Sequence, residues 1–180
     1  MQLLLLLLAI PVSASANYFK DKTLYGAAII KQTAAYESSI AGKKSDNGSG
    51  FGLYLERYYD LTYRLNATLS YLNYSDFNVT GLTGSADYYI PVIPDTSLFV
   101  GAALGGAVQK YNDGSFNSSA VGLVYGVQLG AIQYINENYL IELGYRLRLT
   151  DLTTSDPLVS NVKTSINELN EFYFSVLYMF

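Results

Sequence analysis

Apolar and polar side chains alternate with a period of two along this 180-residue chain from about residue 22 to its last residue. Half of the residues are hydrophobic, yet beyond residue 12 no stretch approaches the roughly 18–20 consecutive apolar residues of a membrane helix. The apolar content is therefore spread one residue in two, which puts it on one face of extended strands. The last segment shows the pattern most clearly. Phe172, Phe174, Val176, Tyr178 and Phe180 take alternate positions, interleaved with Glu171, Tyr173, Ser175, Leu177 and Met179. A soluble domain tends to leave its last residues frayed in water. An apolar face that runs to the terminal residue suits a strand that closes a barrel inside a lipid bilayer.

Eight segments have this character, at about 22–36, 49–58, 62–75, 80–90, 97–110, 119–133, 139–150 and 168–180. Links at Glu37–Gly48, Asp76–Val79, Tyr111–Ser118 and Asp151–Asn167 are read as polar loops, mostly long. Those at Tyr59–Leu61, Pro91–Thr96 and Tyr134–Asn138 are short turns. An even strand count with alternating link lengths predicts an all-β, eight-stranded antiparallel up-and-down transmembrane barrel, with both termini on the short-turn side.

Parity within each strand assigns the faces. In the seventh strand Ile141, Leu143, Tyr145, Leu147 and Leu149 oppose Glu142, Gly144, Arg146 and Arg148. An arginine facing lipid near the midplane costs about 2–4 kcal/mol, so the charged face turns inward. The same argument turns Glu56, Arg64 and Asp87 inward. With Tyr59–Leu61 as the turn, Glu56 and Arg64 are expected opposite each other across the second hairpin. The two faces of segment 22–36 are equivalent in character, and the pattern does not orient it. A soluble ligand-binding barrel would invert the arrangement, but the polar faces are too rich in Gly, Ala and Ser to make a solvent surface. The 18 tyrosines cluster toward strand ends, as the two aromatic girdles of a membrane barrel do. Tyr58, Tyr59, Tyr63, Tyr88, Tyr89, Tyr134, Tyr139 and Tyr178 fall at the short-turn rim. Tyr36, Tyr71, Tyr74, Phe77, Tyr111, Phe116 and Phe172 fall near the other.

Composition narrows the chemistry. Charged residues make up 14 %, against about 25 % in soluble domains. The net charge is −4 without a basic stretch, which gives no footing for nucleic acid. Cysteine and histidine are both absent, so Cys/His metal sites and histidine-based catalytic arrangements are excluded. No cofactor, metal or catalytic residue is expected. At the N-terminus, the apolar run Leu3–Val12 and the Ala14-Ser15-Ala16 pattern read as a cleaved secretory signal over residues 1–16, leaving one domain over 17–180.

Three segments carry a family resemblance. Leu98-Phe99-Val100-Gly101-Ala102-Ala103-Leu104-Gly105-Gly106 is similar to the glycine-rich strand of the small eight-stranded outer-membrane β-barrel proteins, the OmpA/OmpX-like group. Leu140-Ile141-Glu142-Leu143-Gly144-Tyr145-Arg146 is similar to its penultimate strand, and the aromatic C-terminus to its last. The resemblance implies a Gram-negative outer-membrane location with both termini periplasmic. It also implies that Phe174, Val176, Tyr178 and Phe180 form the signal read by the outer-membrane assembly machinery.

An eight-stranded barrel is just wide enough for its own side chains. Glu56, Arg64, Asp87, Glu142, Arg146 and Arg148 are thus expected to fill and cross-link the lumen. The expected role is structural or surface-interacting, by a monomer whose partners are outer-membrane lipids and an unidentified loop ligand. A narrow ion or small-solute channel is the alternative. Refolded in detergent, the chain should migrate differently on a gel before and after boiling; identical migration would rule out the barrel.

Overall fold

The computed structural model describes residues 22–38, 42–59, 62–113, 116–155 and 163–180. The proposed signal over 1–16 lies outside them. Eight strands follow one another: β1 (Thr23–Ser38), β2 (Gly42–Tyr58), β3 (Tyr63–Asn73), β4 (Phe77–Ile93), β5 (Thr96–Asp113), β6 (Phe116–Tyr134), β7 (Tyr139–Ser155) and β8 (Lys163–Met179). Each pairs antiparallel with its sequence neighbours, and β8 pairs with β1 to close the barrel.

The closure has a measurable offset. Partner by partner, the register runs from Met179 through Leu24, Glu56, Asn66, Ser85, Ala103, Gly126 and Arg148 to Leu169, ten residues from the start on β8. With about 3.3 Å per residue and 4.8 Å between strands, that shear tilts the strands by about 40°. A residue then rises about 2.5 Å along the barrel axis.

All four expected loops are shorter than read; in the second, Phe77–Val79 already belongs to β4. Glu37–Ser38 and Gly42–Gly48 belong to β1 and β2, β5 and β6 run to Asp113 and from Phe116, and β7 and β8 run to Ser155 and from Lys163. The polar composition of these stretches reflects strands leaving the apolar zone, where solvent on both faces removes the alternation that marks a strand. What remains of the other three links, residues 39–41, 114–115 and 156–162, lies outside the described residues. Pro91 also belongs to a strand, beside a register shift between Pro91 and Ile93. The turn itself is Pro94–Asp95, with Asp95 at φ 64°, a left-handed conformation that aspartate tolerates better than most residues.

The outer surface is apolar. Ile29 is 70 % exposed, Leu82 and Leu143 62 %, and Val121 77 %, which suits lipid and no soluble barrel. Strand β1 is now oriented, with Tyr25, Ala27, Ile29 and Lys31 facing out and Leu24, Ala28, Ile30, Gln32 and Ala34 buried inside. Several aromatics expected in the girdles also point inward. Tyr58, Tyr89, Tyr74 and Phe77 are buried, and Tyr36 and Tyr134 pack against the core. Tyr25, Tyr59, Tyr63, Tyr139, Tyr178 and Phe180 do face outward at the termini end, with Tyr71 and Phe172 exposed farther up. The side chains of Tyr111 and Phe116 lie outside the description.

Inward glycines make room for inward rings. A Cβ on Gly144 would collide with the ring of Tyr173, and one on Gly130 with Phe99. Gly84, on the lipid face, has nothing nearer than 3.9 Å. Gly144→Ala should therefore lower the urea midpoint of the refolded barrel by an amount equivalent to about 1–3 kcal/mol, whereas Gly84→Ala should not. Equal midpoints for both variants would contradict the packing.

Candidate functional site

The lumen holds every buried charge among the described residues, in two clusters stacked along the barrel axis. The first surrounds Arg64 on β3. Its Nε and Nη2 donate to Asp87 Oδ2 on β4 at 3.0 and 2.7 Å. Its Nη1 donates to Glu56 Oε2 on β2 at 2.8 Å and to Glu142 Oε2 on β7 at 2.6 Å. All four side chains are fully buried. The guanidinium also packs near Tyr89 and Phe99, 5.2 and 5.0 Å from their ring centroids, a favourable setting for a desolvated cation. The remaining carboxylate oxygens are satisfied by neutral donors. Asn66 Nδ2 donates to Glu56 Oε1 at 2.7 Å, Gln128 Nε2 to Asp87 Oδ1 at 2.5 Å, and the Tyr173 hydroxyl to Glu142 Oε1 at 2.5 Å.

The second cluster centres on Glu171 of β8. Arg146 Nη1 donates to its Oε1 at 2.6 Å and Arg148 Nη1 to its Oε2 at 3.4 Å. Gln32 Nε2 of β1 donates to Oε2 at 2.7 Å, and Tyr74 closes the run by donating to Gln32 Oε1 at 2.5 Å. Arg146 lies 3.7 Å from the ring centroid of Tyr173. Gln128 joins the clusters, because its Oε1 accepts from Arg146 Nε at 3.1 Å while its amide donates to Asp87.

A layer of apolar and tyrosine side chains bounds this polar column nearer the termini, and a mixed layer bounds it at the other end. One inward position nearer the termini, Tyr58 follows Glu56, Tyr89 follows Asp87 and Leu140 precedes Glu142, with Leu24, Ile132 and Leu177 wholly buried beside them. Toward the other end, Ala34, Leu72, Val79, Val124, Leu152 and Leu169 are buried together with Gln109 and Thr150, the register partners of Val79 and Val124. Tyr74 and Phe77 stack there with centroids 4.3 Å apart. Among the described residues no group of histidine, cysteine or carboxylate side chains could hold a metal ion.

The six residues singled out from sequence thus divide between the clusters: Glu56, Arg64, Asp87 and Glu142 in one, Arg146 and Arg148 in the other. The hairpin geometry needs a correction. Arg64 is the direct partner of Tyr58, and Glu56 that of Asn66, so Glu56 and Arg64 meet diagonally rather than opposite each other. The reach of the arginine side chain makes up the offset. Sequence reasoning missed Glu171, although its parity opposite Phe172 and Phe174 places it inward. Gln32 was hidden by the ambiguity of β1. Nothing in sequence marks Gln128 as the link between clusters.

These features define an eight-stranded transmembrane β-barrel with the fold of small outer-membrane proteins. Superposition gives Neisserial surface protein A a TM-score of 0.64 at 18 % identity, over 87 % of this chain and 97 % of that one. Outer membrane protein H (OprH) from P. aeruginosa gives 0.60 at 24 % identity, over 88 % and 99 %. Ail, the attachment invasion locus protein of Yersinia pestis, gives 0.57 at 12 %, over 89 % and 99 %. At such identities the likeness is one of fold. No family model and no curated protein sequence matches the chain.

Removing one partner of a buried ion pair leaves its counterpart uncompensated, at about 3–5 kcal/mol. Arg146→Ala and Arg64→Ala should each lower the melting temperature of the refolded barrel. Unchanged melting in either would argue that the corresponding cluster does not hold the lumen together.

Proposed function

We propose that the protein is a monomeric outer-membrane barrel with a non-catalytic structural or surface-interaction role, its lumen filled by its own side chains. The observation that carries this reading is the doubly sealed ionic column. Arg64 and Glu171 cross-link strands from around the barrel, and closely packed buried side chains close the column at both ends. In this reading residues 1–16 direct export, and both termini lie in the periplasm. Phe174, Val176, Tyr178 and Phe180 address the chain to the outer-membrane assembly machinery. The hairpins β1–β2, β5–β6 and β7–β8 then rise on the cell surface, where a ligand could be met.

The second reading, a narrow ion or small-solute channel, is favoured by one observation. Hydrogen bonds run unbroken from Tyr74 through Gln32, Glu171, Arg146, Gln128 and Asp87 to Arg64. Planar-bilayer recording separates the two. The purified barrel should insert without stable conductance steps. Reproducible unitary steps that change on replacing Arg64 or Arg146 would replace the structural reading with the channel.

A further inference from the structure

The outward apolar belt differs in height around the barrel. On β1 it consists of Tyr25, Ala27 and Ile29, between Thr23 and Lys31; on β2, of Leu55, Leu53 and Phe51, between Arg57 and Ser49. Each pair of polar brackets is eight residues apart, about 20 Å along the axis at the tilt derived above. On β5, by contrast, six outward positions from Leu98 to Val108 separate Thr96 from Lys110. On β6, six from Ala131 to Val121 separate Gln133 from Ser119. Those brackets are fourteen residues apart, about 35 Å on the same geometry. The apolar zone such barrels present to a membrane is about 25 Å tall. Strands β1 and β2 fall short of it.

The shortfall lies at the hairpin end. Followed through the register, Thr23, Arg57, Thr96 and Gln133 lie within about 6 Å of one level, while Lys31 and Ser49 lie about 10 Å or more below Lys110 and Ser119. Above Lys31 the surface stays polar across three strands. Thr33 donates to Asn47 Oδ1 at 2.7 Å, Tyr145 to Asn170 Oδ1 at 2.5 Å, and Asn170 Nδ2 to Glu168 Oε1 at 2.5 Å. Tilting the whole barrel to level this upper edge would draw Thr23 and Arg57 into hydrocarbon at the other end. Lys31 can extend its ammonium to the interface, but Ser49 and Asn170 cannot. A bilayer meets a short apolar stretch by thinning locally.

Resting on the reading of this chain as a membrane-spanning barrel, we propose that lipid headgroups at the hairpin end descend onto the β8–β1–β2 face. They seat on Lys31, Thr33, Ser49 and Asn170 and thin that leaflet on one side of the barrel. The surface is thus a lipid-contact site for polar headgroup atoms at a depth where β5 still meets acyl chains.

Single nitroxide labels test this directly. Ser49→Cys and Gly106→Cys lie at nearly equal height, about 21 and 20 Å above Leu24 by the register, and both positions are exposed. In phosphatidylcholine vesicles the label at 49 should be several-fold more accessible to a water-soluble nickel complex, relative to oxygen, than the label at 106. Equal accessibility ratios would overturn the proposal. A label at 49 shielded from both reagents would also overturn it, in favour of a second protein copy covering the face. Retained heat-dependent gel migration shows that the labelled barrels are folded; its loss in both variants would overturn the barrel reading itself. As an independent readout, Lys31→Leu combined with Ser49→Leu should shift optimal folding toward lipids with longer acyl chains. An unchanged chain-length optimum would count against thinning.

Discussion

A charge enclosed in this barrel is almost wholly buried, and the interior is organised around that constraint. Desolvating an ion is expensive, and close pairing that engages the remaining lone pairs and protons offsets it. Arg148, with one contact at 3.4 Å and no partner for its Nε among the described residues, meets this demand least well. Arg64 meets the demand by spending its donors on three carboxylates, and Asn66, Gln128 and Tyr173 then complete those carboxylates. Because the partners come from β2, β3, β4, β6, β7 and β8, the same bonds that satisfy the charges also tie the wall together across its centre.

Barrel closure and lumen packing are coupled. The ten-residue offset sets the strand tilt and therefore the bore. At this bore, arginine and tyrosine side chains from facing strands meet, and inward glycines such as Gly144 supply the space that a ring on the neighbouring strand takes up. Closure pairs every strand with both neighbours through the middle of the barrel, where an unpaired backbone group would find no water. Above Val124, where β6 runs past its last pair with β7, the Leu123 N–H donates to Asp151 Oδ1.

The legible part of the fold rests on parity. A strand with lipid on one side and a packed lumen on the other cannot exchange its faces without exposing charge, so Arg146, Arg148 and Glu142 orient β7 unaided. Where both faces are mildly apolar, as on β1, no such penalty exists, and pairing with β2 and β8 settles the matter. Strand ends were misjudged for a related reason. Gly42–Gly48 and Lys163–Asn167 are extended, but they have left the zone where one face must be apolar. The girdle was overcounted because tyrosine at a strand end suits either an interface or a lid, and composition does not distinguish them.

By itself the sequence determined the number of strands, the inward face of those carrying charge, and a barrel that presents its apolar side chains outward. These follow from local periodicity and from the cost of a charge in lipid. Only the tertiary structure decided which charges share a guanidinium, that Glu171 and Gln32 complete the column, and that Gln128 joins its halves. Those contacts link strands as much as 139 residues apart in sequence. They depend on the register offset at closure, a property of the whole ring that no single strand encodes.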